Sequence, residues 1–127
     1  MDPFEIVQWV IRAVLALLFV GMGVLHFVPG PAKGMSAIIP PGIKRVVPGI
    51  VLVRFTGVCE IVGGIGMLVP SLHVVAGMAL IVFLVAVFPA NAYASRYPER
   101  FGRAAIPFWP RLFGQLALIA LIVVAIV

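Results

Sequence analysis

VLVRFTGVCEIVGGIGMLV, residues 51–69, decides the fold. The stretch is long enough to cross a hydrocarbon core as one helix, and it holds a carboxylate, Glu60, near its middle. An ionised group at that depth costs about 3 kcal/mol on insertion scales, so by default it has a partner and a task. Gly57, Gly63 and Gly64 stand three or four residues from Glu60 and share its helical face. Small residues on that face let helix backbones approach closely, so Glu60 is expected to look inward, toward packed helices and away from lipid.

The rest of the chain has the same character. With 64% apolar and 10% charged side chains over 127 residues, the composition is that of an integral membrane protein and leaves no room for a separate soluble domain. Four stretches reach spanning length: Ile6 to Val28, Pro48 to Val69, Leu72 to Tyr93 and Trp109 to Val127. Pro29, Gly30 and Pro31 end the first, and Pro48 and Gly49 open the second. Val69-Pro70-Ser71 makes a tight hairpin with Ser71 as N-cap of the third, and Pro107 and Pro110 bracket the start of the fourth. The expected fold is all-α: one integral membrane four-helix bundle over residues 1–127, antiparallel, up-down-up-down. Met1 to Gln8 carries Asp2 and Glu5 and lacks a basic leader, so it reads as the start of a first span and not as a removable signal peptide.

The net charge of +5 comes from residues that flank the spans. Lys33, Lys44 and Arg45 lie in the connection Pro29 to Val47, and Arg96, Arg100 and Arg103 in Ala94 to Phe108, with Arg111 just inside the fourth span and only Arg12 near the N-terminus. They form no basic folded face and read as topology determinants, which excludes nucleic acid as a partner; the bilayer is the partner instead. Both long connections follow an odd number of spans, so the positive-inside rule puts them in the cytoplasm and both termini outside. Phe108, Trp109, Tyr93 and Tyr97 fit an inner aromatic belt and Trp9 an outer one. Met35 to Ile39 is too short to span and too apolar to float in water, so it lies at the interface or dips over the bundle mouth. A lone cysteine, Cys59, rules out a dithiol mechanism within the chain and reads as a small packing residue. There is no glycine loop with its lysine and no nucleophile-base pair.

Arg12, Ala16, Phe19, Gly23 and His26 recur at steps of three and four, which gathers them on one inward face of the first span. Thr56 is one turn before Glu60, Arg54 is rotated off the glutamate's face, Asn91 ends the third span and Gln115 sits in the fourth. At 1.5 Å of rise per residue, His26 and Asn91 fall near the inner rim, Glu60 near the midplane and Arg12 somewhat to its outer side. Arg12 is then the partner best matched to Glu60 in depth, with Arg54 second. An ion pair keeps Glu60 ionised, whereas burial alone leaves it protonated. Plainer readings stand beside these: Glu60 and Arg12 as a helix clamp, His26 as an interfacial hydrogen-bonding group, Asn91 as a cap for a helix end disturbed by Pro89, Arg54 as a snorkelling side chain, and Met22, Met67 and Met78 as core filler. His73 belongs to the opposite surface from His26, so the two cannot share a haem, and no His/Glu spacing suits a metal.

GMGVLHFVP at 21–29, Pro40-Pro41, LVRFTGVCEIVGGIGMLVP at 52–70 and FPANAYA at 88–94 together resemble the DoxX family of small four-helix bacterial membrane proteins. The signature elements are Gly-x-x-His-Phe ending the first span, Thr-Gly-x-x-Glu in the second and Pro-Ala-Asn ending the third. The resemblance covers nearly the whole chain and implies a bacterial inner membrane location, the four-helix fold and roles for His26, Glu60 and Asn91. The family's namesake is related to membrane subunits of thiosulfate:quinone oxidoreductase. The expectation is therefore the membrane subunit of a redox complex, binding a quinone or similar amphiphile in the bundle. Glu60 carries the proton, His26 donates at the mouth, Arg54 and Asn91 orient the ligand, and Arg12, Gln115 and Thr56 complete the polar set. Electrons come from a soluble or membrane redox partner, since no cofactor motif is present. A small transporter using the polar ladder is the alternative; there a homo-oligomer supplies a second wall, because the outer halves of spans three and four are nearly all aliphatic. A non-catalytic assembly factor holding client helices is the third reading.

Overall fold

The computed structural model describes residues 1–96 and 107–127. Tyr97, Arg100 and Arg103, which carry part of the belt and charge arguments, lie outside the described residues. The helices are α1 (Pro3–Leu25), α2 (Pro29–Ala37), α3 (Pro41–Lys44), α4 (Gly49–Gly66), α5 (His73–Arg96) and α6 (Phe108–Ile126), with no strand among the described residues. α1, α4, α5 and α6 are each long and apolar enough to cross a membrane. They pack in a ring, α1 on α4, α4 on α5, α5 on α6 and α6 back on α1. The chain is a multi-pass membrane protein with a four-helix bundle as its scaffold.

The distribution of side chains is that of a lipid-facing surface. Leu17 is 78% exposed and Val82 68%, while Arg12, Glu60, Gln8 and His26 are all buried. Polar groups turned inward and aliphatic groups turned outward are stable only where the solvent is hydrocarbon. Leu15, Phe19, Met67, Leu80, Leu84, Ile122 and Ala125 form the core between the spans. Met67 fills the core as expected, but Met78 faces outward and Met22 lines a cavity.

Where α1 meets α4 the helices touch backbone to backbone. A methyl group added at Gly23 would stand 2.7 Å from the Gly57 carbonyl oxygen, and one at Gly57 would stand 2.6 Å from His26 Cβ. Gly64 lies against Val20 and the Ala16 carbonyl in the same seam. The glycines flanking Glu60 thus face inward, as their spacing requires.

α1 starts and ends three residues earlier than its hydropathy alone suggests. Asp2 caps it, its Oδ1 accepting from the Glu5 amide at 2.8 Å, and Pro3 takes the first helical position. Its end at Leu25 leaves His26 Cβ beside Gly57, which lies eight residues past the start of α4, or about 12 Å along that helix. Three further expectations change in detail, and one is narrowed to a single placement. Pro29 and Pro41 do not merely break a helix; each opens a new short one, α2 and α3, at the position where a missing amide costs nothing. α2 folds back onto α4, with Ser36 against Gly49, and Met35 to Ile39 thus dips over the bundle mouth. Ser71 is not the cap of α5, because the Leu72 carbonyl accepts the first helical bond, from the Ala76 amide. Finally, α5 runs straight through Pro89 to Arg96, so Asn91 lies within a helix and caps nothing.

Candidate functional site

Glu60 is paired with His26 and not with Arg12. His26 Nε2 lies 3.1 Å from Glu60 Oε2, with both side chains buried. On its other edge, His26 Nδ1 is 2.7 Å from the Val53 carbonyl oxygen and 3.0 Å from Thr56 Oγ1. A carbonyl only accepts, so Nδ1 carries a proton. Thr56 donates its own hydroxyl hydrogen to the same Val53 carbonyl at 2.9 Å, which leaves its oxygen to accept from Nδ1. Val53 and Thr56, one turn of α4 before Glu60, therefore fix the tautomer and the plane of the ring.

That assignment constrains the other nitrogen. If Nε2 bore no proton and Glu60 were ionised, the carboxylate would lie 3.1 Å from an electron-rich ring nitrogen in a poorly screened site. One proton held by the pair, as imidazolium and carboxylate or as imidazole and carboxylic acid, relieves that contact. Glu60 Oε2 has no well-aligned hydrogen bond, although it is buried. The contact with His26 is thus an ion-pair approach off the hydrogen-bond direction, and this oxygen retains unused acceptor capacity.

Both residues line a cavity of about 440 Å³. Its walls are Met22 and His26 of α1, Leu52, Val53, Thr56 and Glu60 of α4, and the stretch of α5 from Phe83 to Asn91. Met35, Ile38, Ile39, Pro40 and Ile43, from α2, α3 and the turn between them, close the loop end. The volume lies in the range of small-molecule sites, and the lining has their character: largely apolar, with a few convergent polar groups. Beyond Glu60, toward the end where the chain termini lie, the packed core of Leu15, Phe19, Met67 and Leu80 occupies the interior.

Of the expected site residues, the cavity brings together Glu60, His26, Thr56 and Asn91. Asn91 Oδ1 accepts from Arg111 NH1 at 2.8 Å, so what it offers a ligand is its two N–H donors. Three residues are elsewhere. Arg12 donates through Nε to the Ala125 carbonyl at 2.8 Å, in the last turn of α6, and its guanidinium stacks 5.0 Å from the Trp9 ring. Ala16 packs at Gly64 in the antiparallel seam, which puts Arg12 about 12 Å of helix rise from the level of Glu60, too far for a pair. Arg54 is exposed and faces a separate cleft. Gln115 is half-buried on α6 and is not among the cavity's lining residues. His26 itself sits within the bundle and not at its inner rim, because α1 ends early.

Two residues that spacing did not single out join the polar network. Gln8 Nε2 donates to the Val124 and Val127 carbonyls at 2.9 and 3.0 Å, one turn before Arg12 on the same face, a periodicity that extends the inward stripe by one step. Arg111 reads as a topology charge in the sequence, yet its depth matches that of Asn91, and that match is the signal for the pair. Cys59 is half-buried and outside the cavity lining.

The model of a family described as a domain of unknown function, DUF8561, matches residues 15–126. The match takes in His26, Glu60, Asn91 and Arg111, and begins beyond Gln8 and Arg12. No curated protein and no solved structure matches the chain.

Proposed function

We propose that this chain, which belongs to the DUF8561 family, is the membrane subunit of a redox complex that binds a quinone or a similar amphiphile in the cavity between α1, α4 and α5. The observation that carries this reading is a buried carboxylate and imidazole 3.1 Å apart on the wall of an apolar cavity of about 440 Å³. Reducing a quinone to a quinol takes two electrons and two protons. The electrons come from a partner redox protein, soluble or membrane-bound. The Glu60–His26 pair gives one proton to the quinone oxygen that faces it, the other oxygen takes its proton from water, and the pair is then reloaded from water through His26. Asn91, held by Arg111, donates an N–H to the other oxygen and sets the ring's orientation. Unused acceptor capacity on Glu60 Oε2 suits a group that must receive and release a proton.

Kinship with the DoxX family belongs to the same proposal, carried by His26, Glu60 and Asn91 converging on one cavity. So does a bacterial inner membrane location with the basic loops in the cytoplasm. The packed core beyond Glu60 supports a closed site more than a transport route.

The test is native mass spectrometry with small-molecule extraction on protein purified gently from its own membranes, for wild type, Glu60→Gln and His26→Ala. Retention of a quinone or other amphiphile by wild type, with clear loss from both variants, is the expected result. Equal retention by all three would remove the pair from the site, and unchanged quinone-dependent activity of the complete complex in both variants would remove it from the reaction.

A further inference from the structure

His26 is also a wall of a second space. On its other side lies a cleft of about 420 Å³ at the loop end of the bundle, lined by Lys33 of α2 and Arg54 of α4, with Ser36, Phe27 and Ile50 between them. Arg54 lies five residues past the start of α4, roughly 7 Å along the helix, and so near the loop end of that span. Neither cation has a carboxylate partner among the described residues. Asp2 and Glu5 are at the far end of α1, Glu60 is turned to His26, and Glu99 lies outside the described residues. Two cations without a carboxylate partner among the described residues, together with a hydroxyl near the loop end of a span, call for an anion. The apolar part of the lining identifies its source, since Phe27 and Ile50 are both exposed there and a free phosphate has no use for them.

We infer that this cleft is a binding site for the phosphate of an anionic phospholipid, with Lys33 and Arg54 on the phosphate oxygens and the first acyl carbons against Phe27 and Ile50. The site is separate from the cavity and does not rest on what the cavity holds. It gives Lys33 and Arg54 a local role beyond setting topology.

Delipidated protein is titrated with phosphatidylglycerol or phosphatidylcholine of the same acyl chains, and bound lipid is counted by native mass spectrometry. Wild type is expected to retain phosphatidylglycerol preferentially, and Lys33→Gln/Arg54→Gln to lower that retention roughly tenfold or more. Lys44→Gln/Arg45→Gln, which removes the same charge outside the cleft, is expected to leave it unchanged, as is the exchange Lys33→Arg/Arg54→Lys. Lys33→Gln alone changes one exposed side chain and is expected to lower retention severalfold with the fold intact. Equal losses in the two glutamine pairs would reduce the effect to general electrostatics and overturn the site. Absence of any preference for phosphatidylglycerol would overturn it too. Binding of inorganic phosphate or glycerol phosphate without lipid would assign the cleft to a soluble anion and overturn the lipid reading.

Discussion

The tautomer of His26 follows from one carbonyl, and it can be checked directly. Because Val53 accepts from Nδ1, ¹⁵N NMR of the imidazole is expected to show Nδ1 protonated at every pH at which the protein is folded. A neutral ring protonated only at Nε2 would contradict the arrangement. Thr56→Val removes the hydroxyl that shares this bond and is expected to lower stability by about 1 kcal/mol, read as a lower thermal midpoint in detergent, whereas Thr56→Ser should restore it. At this scale, Glu60 was legible because a carboxylate inside an apolar run is expensive wherever the helix lies. Its partner was not legible, because pairing depends on axial register between helices. A shift of three residues in α1, set by the Asp2 cap and Pro3, moves Arg12 to the end of α6 and His26 into the bundle.

The seam between α1 and α4 separates glycines that matter from glycines that do not. Gly57→Ala puts a methyl group 2.6 Å from His26 Cβ and 2.9 Å from the Gly23 carbonyl oxygen, neither of which can turn aside. Overpacking of this kind costs about 1–3 kcal/mol, and here it also parts His26 from Glu60. Gly21→Ala meets nothing within 4 Å and is expected to leave the thermal midpoint unchanged or raised. Comparable losses in both variants would show that the two helices do not pack as described. The four spans were legible from apolar length alone. α2 and α3 were not, since Pro-Gly-Pro reads as an ending, and whether a proline also begins a helix depends on the tertiary surface waiting for the residues that follow.

At the level of the whole molecule, the bundle places residues 33 and 44 at one end and the 67–72 turn at the other. In a chain whose native Cys59 is replaced by serine, cysteines introduced at Lys33 or Lys44 are expected to react with an impermeant maleimide only after the cytoplasmic face is opened, and one at Ser71 to react from outside in intact cells. The reverse pattern would invert the proposed orientation without altering the fold. α1 is also out of step with its neighbours: it stops at Leu25 while α4 continues about 12 Å further toward the loop end. Where α1 would run on, the chain turns instead, and α2 and α3 close the loop end of the cavity. Four spans brought into frame would make an inert plug, and three residues, Pro29, Gly30 and Pro31, prevent it. Replacing those three with alanine is expected to let α1 run on, giving a protein that melts no lower than wild type and has no hollow left to hold a guest.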